Sequence, residues 1–173
     1  YMFEHACRWY RSHLEQGGRP VSLAVNVSKA GLFQNDFVDY YTDIKAKYSI
    51  PDRVMELEFT ESILAADTEL FAELVVNLNA RGFICSLDDF GSGYSSLNLL
   101  KNLPIDVLKL DILFFQKSRD IRRERIVVSN VINMAKELDI KTIAEGVEDM
   151  DTVEFLRKAG CNVIQGYVFA KPM

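Results

Sequence analysis

The chain alternates between two hydrophobic patterns. Short runs rich in Val, Ile, Leu or Phe occupy residues 22–28, 54–59, 83–88, 107–111, 141–146 and 162–169, and their length and composition predict strands. Helical spacing fills the gaps. Leu70, Phe71, Leu74, Val75 and Leu78 share one face of a helix predicted over 67–81, with Gly82 placed to cap its C-terminus. A second helix is predicted over 124–138, led by a charged stretch at 119–125 that reads as a solvated loop and helix start. A third spans 151–158, with Asp151 and Glu154 as a capping-box-like start and Gly160 as its end. Phe3, Ala6, Cys7, Tyr10 and Leu14 trace an amphipathic helix at the beginning, stopped by Gly17-Gly18. Strands alternating with helices, with no hairpin turns between strands, imply parallel βα units. Six such units favour a TIM-type α/β barrel over an open sheet, although periodicity alone does not decide between them.

Polar residues interrupt the strand-like runs at matching places. Asn26, Glu58, Asp88, Lys109, Glu145 and Gln165 each lie in one run, mostly near its end. Alternation sets Asn26 with Ala24 and Ser28, opposite Leu23, Val25 and Val27, and separates Glu58 and Thr60 from Leu57 and Phe59. Six inward polar residues, one per strand, would meet at the C-terminal mouth of a barrel, where TIM-barrel chemistry sits. Taken singly, each has a plain structural explanation: Lys109 as a snorkelling surface lysine, Glu58 as an edge-strand charge, Gln165 as a polar plug. Their recurrence makes coincidence a poor account.

Asp88 and Asp89 sharpen the picture. They close an apolar run and open into the glycine-rich turn 90–96, and two adjacent carboxylates in such a place repel unless a cation neutralises them. The available donors are hard oxygens with no His or Cys cluster, which favours Mg²⁺ or Mn²⁺ over Zn²⁺. His5 and His13 fall on the first helix, away from the strand ends, and read as surface or interface residues. Gly91-Ser92-Gly93 lacks both the P-loop lysine and the dinucleotide fingerprint, so by itself it is a tight turn.

Composition adds bounds. At 173 residues, 49% hydrophobic and 26% charged, the chain suits one soluble domain with a sizeable core, or a large part of a bigger protein. A net charge of -5 argues against a general nucleic-acid binder, while leaving room for a small anionic ligand held through a metal. Cys7, Cys85 and Cys161 are odd in number and far apart, as expected of buried thiols in a reducing cytosol. No apolar stretch approaches the roughly 20 residues of a membrane span, so a cytoplasmic location is expected, with the cytosolic part of a membrane-attached signalling protein as a variant. The abrupt ends suggest that residues 1–173 are part of one domain in a longer chain.

In order, Val25-Asn26-Val27-Ser28, Glu58-Phe59-Thr60-Glu61, Asp88 to Ser96, Leu108-Lys109-Leu110-Asp111, Ala144-Glu145-Gly146-Val147-Glu148 and Gln165-Gly166-Tyr167 resemble the successive motifs of the EAL-domain family, over essentially the whole chain. The resemblance implies a modified TIM (β/α) barrel, incomplete here at its N-terminus. The first strands, including the one whose Glu-Ala-Leu glutamate is a metal ligand, and the closing helix would be absent. It implies a metal-dependent cyclic di-GMP phosphodiesterase that produces linear pGpG with two Mg²⁺ or Mn²⁺ ions. Asn26, Glu58 and Asp88 would ligate one ion and Asp89 the second. Lys109 would contact the attacking water or the phosphate, and Glu145 would be the general base or a ligand of metal-bound water. Glu148 and Gln165 would support the metals or their water, Glu61 would steady the loop after the aspartate pair, and Asp111 would be supportive. By the same resemblance the loop 90–96 bears on metal-site integrity and homodimer contacts, and other domains of a parent chain would regulate the site. With the family glutamate missing and barrel edges open, the chain alone is expected to bind metal poorly. The alternative is a degenerate EAL domain that acts as a cyclic di-GMP receptor or interaction module, and a third class is an unrelated metal-dependent barrel enzyme.

Overall fold

The structure is a computed structural model that describes residues 1–32, 36–61, 68–91, 97–111 and 120–171. Six parallel strands form one curled sheet in sequential order: β1 (Leu23–Asn26), β2 (Met55–Thr60), β3 (Ile84–Phe90), β4 (Val107–Leu110), β5 (Lys141–Ala144) and β6 (Val163–Ile164). Helices alternate with them: α1 (Met2–Glu15), the short α2 (Lys29–Leu32), α3 (Phe37–Lys47), α4 (Thr68–Ala80), the short α5 (Leu97–Asn102), α6 (Ile121–Glu137) and α7 (Met150–Ala159). Sequential parallel order is that of a TIM-type barrel, and the described strands make a half-barrel with β1 and β6 at its edges.

Strand alternation sorts the side chains into two layers. Met55, Leu57, Phe59, Leu87, Leu108 and Leu110 are fully or almost fully buried beneath the helices, together with Phe71, Val75 and Leu78 of α4. Phe59 and Phe71 meet edge to face, ring centroids 5.1 Å apart. On the opposite, inner face, register aligns Asn26 with Glu58 and Glu58 with Ser86. That face is buried at the sheet centre, where Glu58 is 6% exposed, and open at the edge, where Val163 is 50% exposed.

Several elements differ from the pattern-based reading. β3 runs on to Phe90, because its register with β4 shifts between Leu87 and Phe90. Asp89 takes a left-handed φ of 56° there, and the extra residue is accommodated as a bulge. β6 is two residues long and gives way to turns, so the long strand read over 162–169 is mostly irregular backbone. α6 starts at Ile121 because the Asp120 carboxylate accepts from the N–H groups of Arg122 and Arg123. α7 starts at Met150, capped by Asp149 rather than Asp151, while Gly160 ends it at φ 89° as expected. Asp67, Arg119 and the glycine-rich turn beyond Gly91 lie outside the described residues. Cys7 and Cys85 are buried and Cys161 half-buried, all three as free thiols; burial pushes the Cys7 thiol up to about 11 and Cys85 higher still.

Candidate active site

The C-terminal edge of the sheet gathers charge around one lysine. Lys109, on β4, places Nζ 2.7 Å from Glu58 Oε1 of β2, 2.7 Å from Glu145 Oε1 just past β5, and 3.5 Å from Asp88 Oδ1 of β3. Four consecutive strands thus each contribute one group, as the sequence spacing suggested. The side chains of Lys109, Glu58 and Asp88 are only 11%, 8% and 13% exposed, and Glu145 is more open at 27%, so Lys109 is no surface lysine. Burial pulls its pKa down, but hydrogen bonds to Glu145 and Glu58 and their charges outweigh this and raise it. The group is a fixed cation at neutral pH, and the three carboxylates leave an excess of negative charge around it.

The bulge in β3 decides where the aspartate pair points. Strict alternation would send adjacent residues to opposite faces. The left-handed turn at Asp89 breaks that alternation, and the Asp89 N–H donates to Asp88 Oδ1 at 2.9 Å. Asp89 is exposed, and its carboxyl pKa is raised by partial burial, by the charges of Asp88 and Asp111, and by a hydrogen bond with Asp111. Asp111 therefore belongs to the same carboxyl group of residues, one position beyond β4.

The remaining sequence candidates are peripheral. Asn26 is exposed on the edge strand, in register with Glu58. Glu61 is half-buried directly after β2, and Glu148 is exposed beyond β5. Gln165 follows β6 with its side chain exposed; its backbone N–H donates to Ala144 O at 2.8 Å and its carbonyl accepts from Val147 N at 3.1 Å. Gly166 permits this closure, since a Cβ there would stand 2.0 Å from the Val147 carbonyl oxygen.

One polar residue escaped the sequence reading. Glu56 lies two residues before Glu58 on the same inner face, is 9% exposed, and hydrogen-bonds Ser86 while burial raises its pKa. Its Oε1 is buried without a hydrogen-bond partner. The Glu56-Leu57-Glu58 alternation was the available signal, and it places both glutamates inward.

The donor set is chemically suited to a hard divalent cation, because it is all oxygen and carries excess negative charge. Among the described residues, however, no three His, Cys, Asp or Glu side chains form a ready-made metal cage. The carboxylates close on Lys109 instead. His5 and His13 stay on α1, where His13 stacks on Trp9 at 4.8 Å and hydrogen-bonds the Arg19 carbonyl at 3.0 Å.

Comparison with known proteins places this geometry in a family. A model of the EAL domain matches residues 1–172. The bifunctional diguanylate cyclase/cyclic di-GMP phosphodiesterase MucR of Pseudomonas aeruginosa is 34% identical over the whole chain, which spans 25% of MucR. The chain thus covers about a quarter of that relative. Among solved structures, the EAL domain of Mycobacterium smegmatis DcpA superposes with a TM-score of 0.89 at 33% identity, over 98% of this chain and 77% of that one. The phosphodiesterase PaMucR in complex with c-di-GMP gives 0.87 at 35% identity, over 99% and 69%. A family match over nearly every residue, on a parallel half-barrel that carries the ordered motifs at its strand ends, shows that the chain belongs to the EAL domain family.

Proposed function

We propose that this domain hydrolyses cyclic di-GMP to linear pGpG in a metal-dependent reaction. The observation that carries the reading is the cluster of Glu58, Asp88 and Glu145 around Lys109 at the C-terminal ends of the strands. The cyclic di-GMP phosphodiesterases among its relatives, such as RocR of Pseudomonas aeruginosa at 35% identity, supply the substrate class.

Asn26, Glu58 and Asp88 would hold one Mg²⁺ or Mn²⁺ and Asp89 a second. Such ions, when bound, activate water and neutralise charge on the phosphoryl oxygens. Glu145, the most open of the clustered carboxylates, accepts the proton of the attacking water as general base. Its hydrogen bond to Lys109 fixes its orientation. Lys109 presents permanent positive charge to the phosphoryl oxygens as negative charge builds there. Water oxygen bonds to one phosphorus, the P–O3′ bond breaks, and the 3′ oxygen leaves as a hydroxyl after taking up a proton. Glu148 and Gln165 would support the metals or their water, Glu61 would steady the loop after the aspartate pair, and Asp111 would be supportive. Among the described residues no helix is long and apolar enough to cross a membrane, and we place the domain in the cytoplasm, as a homodimer within a longer signalling protein.

The second reading, a receptor that binds cyclic di-GMP without cleaving it, is weakened because the visible motif positions keep their reactive side chains. Incubating the full-length protein with cyclic di-GMP and Mg²⁺ or Mn²⁺, then separating nucleotides by chromatography, tests both. Appearance of pGpG is expected. Binding without product supports the receptor, and neither binding nor product contradicts both readings.

A further inference from the structure

We propose that Lys109 is the built-in counter-ion of the metal-free site, so that metal entry requires its ammonium to release Glu58. The inference rests on the metal-dependent reading above.

Lys109 Nζ occupies the point on which the carboxylates converge. Glu58 and Glu145 hold it at 2.7 Å, hydrogen-bonding distance, whereas Asp88 stands off at 3.5 Å. Glu58 and Asp88 are largely buried, and buried carboxylates left without a cation repel one another and lose hydration with nothing in return. A lysine at their centre keeps the site assembled before any metal arrives.

The same contacts set up a competition. A divalent ion that takes Glu58 needs the carboxylate Lys109 now holds, and ammonium and metal repel at close range. Asp88 stands 3.5 Å from Lys109 with its Oδ1 held by the Asp89 N–H, so its other oxygen would meet an arriving ion first, together with Asn26 beside Glu58 in register. Glu58 follows only when Lys109 swings toward Glu145. Lys109 thereby opposes metal binding while it serves catalysis, and its removal loosens the metal-free fold yet tightens the metal.

The test is calorimetric titration of Mn²⁺ into the metal-free full-length protein, with thermal unfolding measured with and without the ion. Lys109→Met should lower the Mn²⁺ Kd about tenfold by removing the competing charge, and should lower the metal-free Tm so that the metal-induced rise widens. Lys109→Arg, which keeps the charge, should stay near wild type in Kd. An unchanged or weakened Kd in Lys109→Met overturns the inference, because a purely catalytic or purely structural lysine gives that result. A Lys109→Met protein that folds only with Mn²⁺ supports it, and one that folds in neither condition counts against it. A wild-type protein that binds no Mn²⁺ removes the metal-dependent reading itself.

Discussion

Asp89 carries two demands at once, one on its backbone and one on its carboxylate. Its left-handed φ of 56° is tolerated by Asp and Asn but resisted by β-branched residues. Asp89→Asn should therefore keep the fold at wild-type stability in urea titration while weakening metal binding. Asp89→Val should cost about 1–2 kcal/mol through backbone strain; equal urea midpoints for the two variants would contradict the bulge account. The aspartate pair stood out in the sequence as two adjacent carboxylates at a strand end. Its aim was not, because period-two alternation assigns neighbours to opposite faces and only the register shift between Leu87 and Phe90 undoes that. Lys109 was ambiguous for a related reason: a lysine on a strand is a surface residue or a buried ion-pair centre depending on what the adjacent strands present. Here β2 and β3 present Glu58 and Asp88.

Element ends followed side-chain caps more closely than hydrophobic periodicity. The Asp149 carboxylate accepts from the N–H and hydroxyl of Thr152, both at 2.8 Å, and the backbone hydrogen bond holds its pKa below the usual carboxylate value. A depressed pKa stabilises the fold above the unfolded-state value, and the gain is lost as pH falls through the folded-state value. Asp149→Ala should thus cost about 1 kcal/mol at neutral pH and nothing once the medium is acid enough to protonate Asp149 in the folded protein. Thermal unfolding across that range checks it, and a penalty that persists in acid would assign the effect to packing. α3 was not legible because its buried face is mixed: Phe37 and Ile44 share it with Lys45. The Lys45 ammonium is satisfied by Asp52 beyond the helix end and, at 2.7 Å, by the Arg81 carbonyl, which lies distant in sequence. α4, whose buried face is wholly apolar, was legible almost to its ends.

At the scale of the molecule, the sheet separates stability from chemistry. Its N-terminal side is tied by Arg53 to Asp106 at 2.6 Å, with Asp106 also accepting from Cys85 N at 2.8 Å. The C-terminal side carries the carboxylates and Lys109, the division expected of a TIM-type barrel. The parallel order was legible from alternating strand and helix patterns, and so was the convergence of Glu58, Asp88, Lys109 and Glu145. Asn26 and Gln165 do not join their contacts: they sit on or beside the edge strands β1 and β6, where the inner face is open. Sequence spacing reports which face a residue takes but not how far along a curved sheet two strands stand.

In the proposed hydrolysis this cluster acts on the substrate, with Glu145 taking the proton of the attacking water. The most direct measurement is turnover of saturating cyclic di-GMP by the full-length protein with Glu145→Gln, alongside its nucleotide affinity. The substitution should lower turnover about a hundredfold or more while leaving cyclic di-GMP bound; turnover close to wild type would contradict the assignment and the account of the site built on it.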